Sequence, residues 1–403
     1  MILVRQVVDH LNFNFDRWML ASVICLLLIG LLMNMMATSN KLTDSTAITG
    51  SLSATVIDVY AKFKTHSLKV AIGLVFAVAC YLTPLMVWQS RKTTYTLIAV
   101  SMVLFILTYF FGEDINGARR WLRIGGFQLS PSDVARFSLI LWLSQFLFEK
   151  REELHLISNS VKAAAMIAMI CLPIVLQPNL STVMIIFAIA GSMLWVSGIP
   201  RKWFFYLGAL VIAFGVFHVA GSSFRSNRSQ VFIDPFAIYY NFDSQYQIDP
   251  VGATMLKETS YQQRQSIMAL VQGGLTGVVY GTGKQKYFLP EAYNDCIVAI
   301  VGEEWGMIGI LLVLAGFGVL TWRGFRTTVN SIDAYKYFLA FGIVMNFLAY
   351  FFIHFFVNVS AMPSTGVPLP FISHGGTAMV FNLGLAAILL RLSAEPKCPL
   401  FVK

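Results

Sequence analysis

Charge is what this 403-residue sequence has least of. Only 12% of its residues are Asp, Glu, Lys or Arg, against roughly a quarter in ordinary soluble domains. Beside 57% hydrophobic residues, so little charge excludes a cytosolic globular enzyme. Cysteine is scarce and scattered: Cys25, Cys80, Cys171, Cys296 and Cys398 show no paired or C-x-x-C spacing. That excludes a disulfide framework or a cysteine metal site and leaves them as small buried apolar side chains. No repeat of about 20 to 50 residues, heptad run or low-complexity tract is present. The net charge of +9 does not indicate nucleic acid, because Lys and Arg stand in small groups at the edges of apolar blocks, as membrane insertion requires.

The apolar residues run in blocks of about 20, the length that spans a bilayer. They predict ten transmembrane helices near residues 18–37, 68–88, 95–112, 133–149, 162–178, 181–199, 203–221, 296–322, 336–358 and 376–393. The first block lacks a small-residue cleavage site and reads as a retained signal anchor. With the N-terminus inside, 15 basic residues fall in the inner segments, against Lys41, Lys62, Lys64, Arg119, Arg120 and Arg123 in the short outer loops. The positive-inside bias thus places both termini in the cytoplasm. The expectation is an all-α polytopic membrane protein, one integral membrane domain over residues 1–403. One large extracytoplasmic loop, 222–295, joins spans 7 and 8. It is too long for a connector and contains apolar and aromatic stretches such as VFIDPFAIYY, so it is the expected place for chemistry.

A charge near the bilayer centre costs at least about 2.5 to 3.5 kcal/mol, so acidic residues near the spans are informative. In SPSDVARF, Ser130 or Ser132 can cap a helix with Pro131 in its first turn, and Asp133 and Arg136 share a face at i and i+3. They form either a structural ion pair or part of a cavity wall. Asp295 stands where the long loop enters the eighth span, with Glu303 and Glu304 about two turns deeper. Asp295 could simply cap that helix; the Glu pair suggests a proton path or helix–helix hydrogen bonding. Arg119, Arg120 and Arg123 cluster around Trp121 against the positive-inside trend, and could hold lipid headgroups or one diphosphate. VPLPFISHGGT, residues 367–377, predicts tightly folded or re-entrant backbone before the last span. His374 within it reads as structural, and His218 and His354 offer no metal-ligand spacing.

Taken in order, GARRW with SPSD, QPNLST, YQQRQS, GTGKQKYFLPEAYNDCIVAIVGEEWGMIG and STGVPLPFISHGGT resemble the SEDS family of bacterial envelope proteins, which includes FtsW, RodA and SpoVE. The LPEA and GEE wording is closer to the FtsW division branch than to the RodA elongation branch. The resemblance implies a peptidoglycan glycosyltransferase that polymerises lipid II on the outer face of the cytoplasmic membrane, in septal wall synthesis at cell division. It places the family's essential carboxylate on Asp295, substrate contacts on Gln265 and Ser373, and the fourth-span pair on Asp133 and Arg136, where the family commonly has Glu and Lys. It implies a class B penicillin-binding protein, an FtsI-like transpeptidase, and other divisome membrane proteins as partners. It implies no definite cofactor and leaves a divalent cation open. The chain departs from the family at Tyr293 and Asn294, where His-Thr is usual, at Asn179 and Ser181, and at His374, where Tyr is usual.

The chemistry is consistent with these parts. Lipid II holds its polyprenyl tail in lipid, its diphosphate at headgroup level and its disaccharide in water, so an interfacial carboxylate suits it. An α-linked donor becomes a β-1,4 bond in one inverting displacement, with a base taking the acceptor proton while diphosphate departs. Diphosphate leaves readily, so one carboxylate suffices where glycosidases need two. Asp295 is then the base, with Arg119, Arg120 and Lys286 as diphosphate contacts. An unperturbed Asp has a pKa of about 3.9, so proton transfer must come late or the group must be partly desolvated. A lipid II flippase or other transporter, a RodA-like elongation polymerase and a non-catalytic scaffold for a transpeptidase remain alternatives.

Overall fold

The computed structural model describes residues 14–38, 52–115, 118–124, 127–177, 179–199, 250–279, 281–289, 292–363 and 365–395. Its helices are α1 (Arg17–Thr38), α2 (Leu52–Leu82), the short α3 (Leu85–Gln89), α4 (Arg91–Phe111), α5 (Pro131–Glu149), α6 (Ile157–Leu176), α7 (Leu180–Val196), α8 (Pro250–Gly273), α9 (Ile297–Val329), α10 (Ala334–Asn358) and α11 (Gly376–Ser393). Nine of the ten expected spans coincide with helices; the seventh, 203–221, lies outside the described residues, as do residues 222–249 of the expected loop, His218 and Cys398.

Among the described residues, seven helices are long and apolar enough to cross a membrane. Helix α5 is not one of them, because Ser132, Asp133, Arg136, Ser138, Ser144 and Gln145 lower its hydropathy. These polar side chains are all buried, since α5 runs through the middle of the bundle, against α4, α10 and α7. A helix wrapped by other helices need not be apolar, because its polar groups find partners inside the protein.

Three features depart from the expectation. The fold is not wholly helical. After α4 the chain forms an antiparallel sheet of β1 (Glu113–Ile115), β2 (Ala118–Ile124) and β3 (Phe127–Leu129), with Glu113 opposite Trp121 and Leu122 opposite Leu129. The stretch expected as a loop also contains α8, which packs against α9 and α10. Beneath it Ala269, Leu289, Ala292, Cys296, Ala299 and Ile300 form a small separate core. Cys25 also differs from its expected burial: it lies exposed on α1, whereas Cys80, Cys171 and Cys296 are buried thiols.

Polar groups gather at the two ends of the bundle. At one end Asp16 pairs with Arg323 at 2.6 Å, and Lys336 with Glu395 at 3.0 Å. At the other end the sheet, the part of α2 around His66 and Lys69, residues 292–296 and the turn 365–375 come together.

Candidate functional site

Asp295 lies at this second end, half-buried, immediately before the N-cap of α9. It does not cap that helix. The N-cap is Cys296, without a side-chain cap bond, and the first-turn N–H of Ala299 donates instead to Asn358 Oδ1 at 3.1 Å. The Asn358 amide donates to the carbonyls of Asp295 at 3.1 Å and His354 at 2.9 Å. One α10 side chain thus satisfies the helix start and holds the backbone of Asp295, so the carboxylate is not consumed by capping.

The turn 365–375 packs against the same backbone. Ser373 Oγ donates to the Asn294 carbonyl at 2.7 Å, and the His374 N–H donates to the Tyr293 carbonyl at 3.1 Å. A Cβ placed on Gly366 would lie 3.8 Å from Asp295 Oδ2, so the bare backbone of this turn passes beside the carboxylate. The turn is held from below by Asn34, whose amide donates to the Ile372 carbonyl at 2.7 Å, and by His354, whose Nδ1 lies 2.8 Å from the Val367 carbonyl. The expected re-entrant backbone is accordingly covered by protein, the condition for irregular backbone at membrane depth.

Asp133 and Arg136 form an ion pair at 3.1 Å, and Arg136 is fully buried. Its guanidinium also donates to Asn346 and, at 3.0 Å, to Asn382, and it lies 4.4 Å from the Tyr350 ring centroid. One cation therefore joins α5, α10 and α11. Ser130 is the N-cap of α5 but makes no side-chain cap bond; its N–H donates to Thr377 Oγ1 at 2.9 Å, and that hydroxyl donates to the Gln128 carbonyl at 2.7 Å. The sheet, α5 and α11 meet at this point.

Glu303 and Glu304 are both buried, and they hold down residues 281–286. Glu303 Oε1 accepts from the Lys284 and Gln285 N–H groups at 2.6 and 2.8 Å, and Glu304 Oε2 accepts from the Gly281 N–H at 2.7 Å. Lys286, expected at a diphosphate, is 2% exposed, donates to the Gly281 carbonyl at 2.7 Å and pairs with Glu304 at 3.4 Å. Its charge is spent on a buried carboxylate, because α9 places Glu304 directly beneath it.

The arginine cluster divides. Arg123 pairs with Glu113 at 3.0 Å. Arg119 is exposed and reaches the Tyr109 carbonyl at 3.3 Å, and Arg120 donates to the Gln177 carbonyl at 3.1 Å. Asn179 caps α7 by accepting from the Thr182 N–H at 3.4 Å. Gln265 is half-buried on α8, whose Gln262 and Gln263 reach Cys296 Sγ at 3.2 Å and the Met362 carbonyl at 3.3 Å. Among the described residues, no group of three His, Cys, Asp or Glu side chains is placed to hold a metal ion.

Sequence reasoning missed Asn346, Asn358 and Asn382, the amides that serve Arg136 and Asp295. It also missed Lys69 on α2, whose Nζ lies 2.9 Å from His374 Nε2. Lys69 was visible as a charge at the edge of an apolar block, the kind of exception that marked Asp133 and Asp295.

Residues 17–398 match the family described as cell cycle protein, FtsW/RodA/SpoVE. A probable peptidoglycan glycosyltransferase FtsW of Saccharophagus degradans is 32% identical over 330 residues, 81% of each chain. A protein of the same description from Legionella pneumophila is 28% identical over 391 residues, 94% of this chain and 91% of its own. Among solved structures, a chain of a peptidoglycan synthase complex that coordinates polymerization and crosslinking superposes with a TM-score of 0.70 at 18% identity, covering 94% of this chain and 98% of that one. The rod shape determining protein RodA of Thermus thermophilus gives a TM-score of 0.63 at 18% identity, covering 94% of this chain and 96% of that one.

Proposed function

This chain belongs to the FtsW/RodA/SpoVE family of cell cycle proteins, and from that premise we propose that it is a peptidoglycan glycosyltransferase with Asp295 as its general base. It polymerises lipid II into glycan strands at the outer face of the bacterial cytoplasmic membrane, in septal wall synthesis. In this reading the chain crosses the membrane ten times with both termini in the cytoplasm, and the end carrying Asp295 faces outward. The observation that carries it is the position of Asp295: half-buried, excused from capping α9 by Asn358, and bordered by the bare backbone at Gly366.

The reaction balances with one base. The acceptor hydroxyl gives its proton to Asp295 as its oxygen attacks the donor's anomeric carbon. The bond from that carbon to the diphosphate oxygen breaks on the opposite face, and polyprenyl diphosphate leaves with its electron pair. Arg119 and Arg120, which reach the Tyr109 and Gln177 carbonyls in the fold, are the cations assigned to the leaving diphosphate in this reading. Gln265 is a substrate contact in the same reading. The partner is a class B penicillin-binding protein, in keeping with the synthase complex that shares the fold.

The flippase reading gains no support from Glu303 and Glu304, whose carboxylates accept from main-chain N–H groups. The test uses detergent-purified protein and lipid II, with no vesicle barrier and with the transpeptidase partner present. Glycan strands are expected from the unaltered chain and none from Asp295→Asn at unchanged thermal unfolding. Strand formation by Asp295→Asn would remove the base; failure of the unaltered chain would remove the polymerase.

A further inference from the structure

Between α2 and the turn before α11 stands a basic cluster that the mechanism above does not use. Lys69 lies within the apolar span Phe63–Leu82, where an ionisable side chain is costly and points to a function. Its ammonium meets Nε2 of His374 at 2.9 Å, and among the described residues it forms no ion pair with a carboxylate. With Lys69 charged, Nε2 must accept, so the ring proton of His374 sits on Nδ1. His66, one turn before Lys69, stacks on His374 with centroids 4.8 Å apart and 26° between the rings.

His66 supplies the second observation. It is 2% exposed, and neither of its ring nitrogens has a hydrogen-bond partner among the described residues. A buried polar side chain left in this way is destabilising unless a ligand completes it. The cluster adjoins the base through two residues: the His374 N–H donates to the Tyr293 carbonyl at 3.1 Å, and the two rings meet edge to face at 5.6 Å. The β3 side is close as well, since a Cβ on Gly376 would lie 3.5 Å from Lys69 Cε and 3.6 Å from the Gln128 carbonyl.

We propose that Lys69, His66 and His374 form an anion site that takes one phosphate of the substrate's diphosphate, beside the segment that carries Asp295. Lys69 supplies a charge that no carboxylate among the described residues cancels, and the imidazoles supply N–H donors without adding a fixed charge to the membrane. The substrate identity rests on the polymerase reading; the anion chemistry rests on the cluster alone. A headgroup phosphate of bulk phospholipid has the same chemistry, and the test separates the two.

Inorganic diphosphate is titrated into the full chain in nanodiscs, with binding followed by calorimetry. Lys69→Met should weaken binding about tenfold, the loss of one hydrogen bond to a charged group, whereas Lys69→Arg should keep most of it. His66→Asn, the second variant should Lys69→Met not fold, should weaken binding in the same direction. Equal affinity in Lys69→Met, or in a folded His66→Asn, would overturn the site. So would loss of diphosphate binding when phosphatidylglycerol replaces the neutral lipid of the nanodisc, which would make it a headgroup site. Lys69-dependent binding in a chain that makes no glycan would uphold the site and remove the polymerase reading. Asp295-dependent glycan synthesis without Lys69-dependent binding would do the reverse.

Discussion

The Ser373 hydroxyl donates to the Asn294 carbonyl at 2.7 Å and accepts from the Leu369 N–H at 2.8 Å. One buried side chain therefore closes the turn before α11 and fastens it to the residue before Asp295. Read from sequence, Ser373 is a substrate contact; in the fold its hydroxyl is engaged on both sides and holds the backbone beside Asp295. Ser373→Ala leaves a buried carbonyl and N–H without this partner and should cost about 1 to 3 kcal/mol. Thermal unfolding in detergent should register that loss, and kcat for glycan synthesis should fall with little change in KM. A rise in KM at constant kcat would restore the substrate-contact role.

Asn358 offers a sharper test of positioning. Asn358→Ala removes the acceptor of the Ala299 N–H and the donor to the Asp295 carbonyl together. Stability should fall by about 0.5 to 2 kcal/mol, as for a lost helix cap. The polymerisation rate should fall by more than that loss explains once the folded fraction is measured, because the backbone of Asp295 is released. A rate that follows the folded fraction alone would reduce Asn358 to a cap.

Arg136→Met should strand Asp133 in the interior and cost about 3 to 5 kcal/mol, the penalty of breaking a buried pair from one side. Arg136→Met with Asp133→Leu should recover most of that stability in the same unfolding assay, since neither charge of the pair then remains. If the double variant also recovers glycan synthesis, the pair is structural; if it stays inactive, Asp133 or Arg136 shapes the substrate cavity.

Residues 274–279 depend on close backbone contact with α9. Gly277 has φ +82°, and a Cβ there would run into the Glu304 main chain. Gly277→Ala should destabilise by more than about 1 kcal/mol, and limited proteolysis should cut this segment at sites protected in the unaltered chain. An unchanged cleavage pattern would mean that the contact is not needed to hold the segment down.

Hydropathy located nearly every described helix, because a bilayer demands about 20 apolar residues per crossing. It could not separate a lipid-facing helix from a central one, so the polar α5 was legible only through its uncharged remainder, and α8 was absorbed into a loop because its mean composition is polar. Motif order identified the family and singled out Asp295, Asp133 and Arg136. It did not reveal that Lys286 belongs to Glu304, or that Asp295 is relieved of capping.

What the sequence determined by itself was the solvent of this protein, the length and order of its helices and the chemical types gathered near one end, because hydropathy and motif spacing are local along the chain. Only the tertiary structure decided which charges are spent and which remain for work. Asp133 and Arg136 are three residues apart, but Arg136 and Asn382 are 246 apart, Lys69 and His374 305. Partners so distant are set by helix packing, where each buried polar group must find a match or remain a cost.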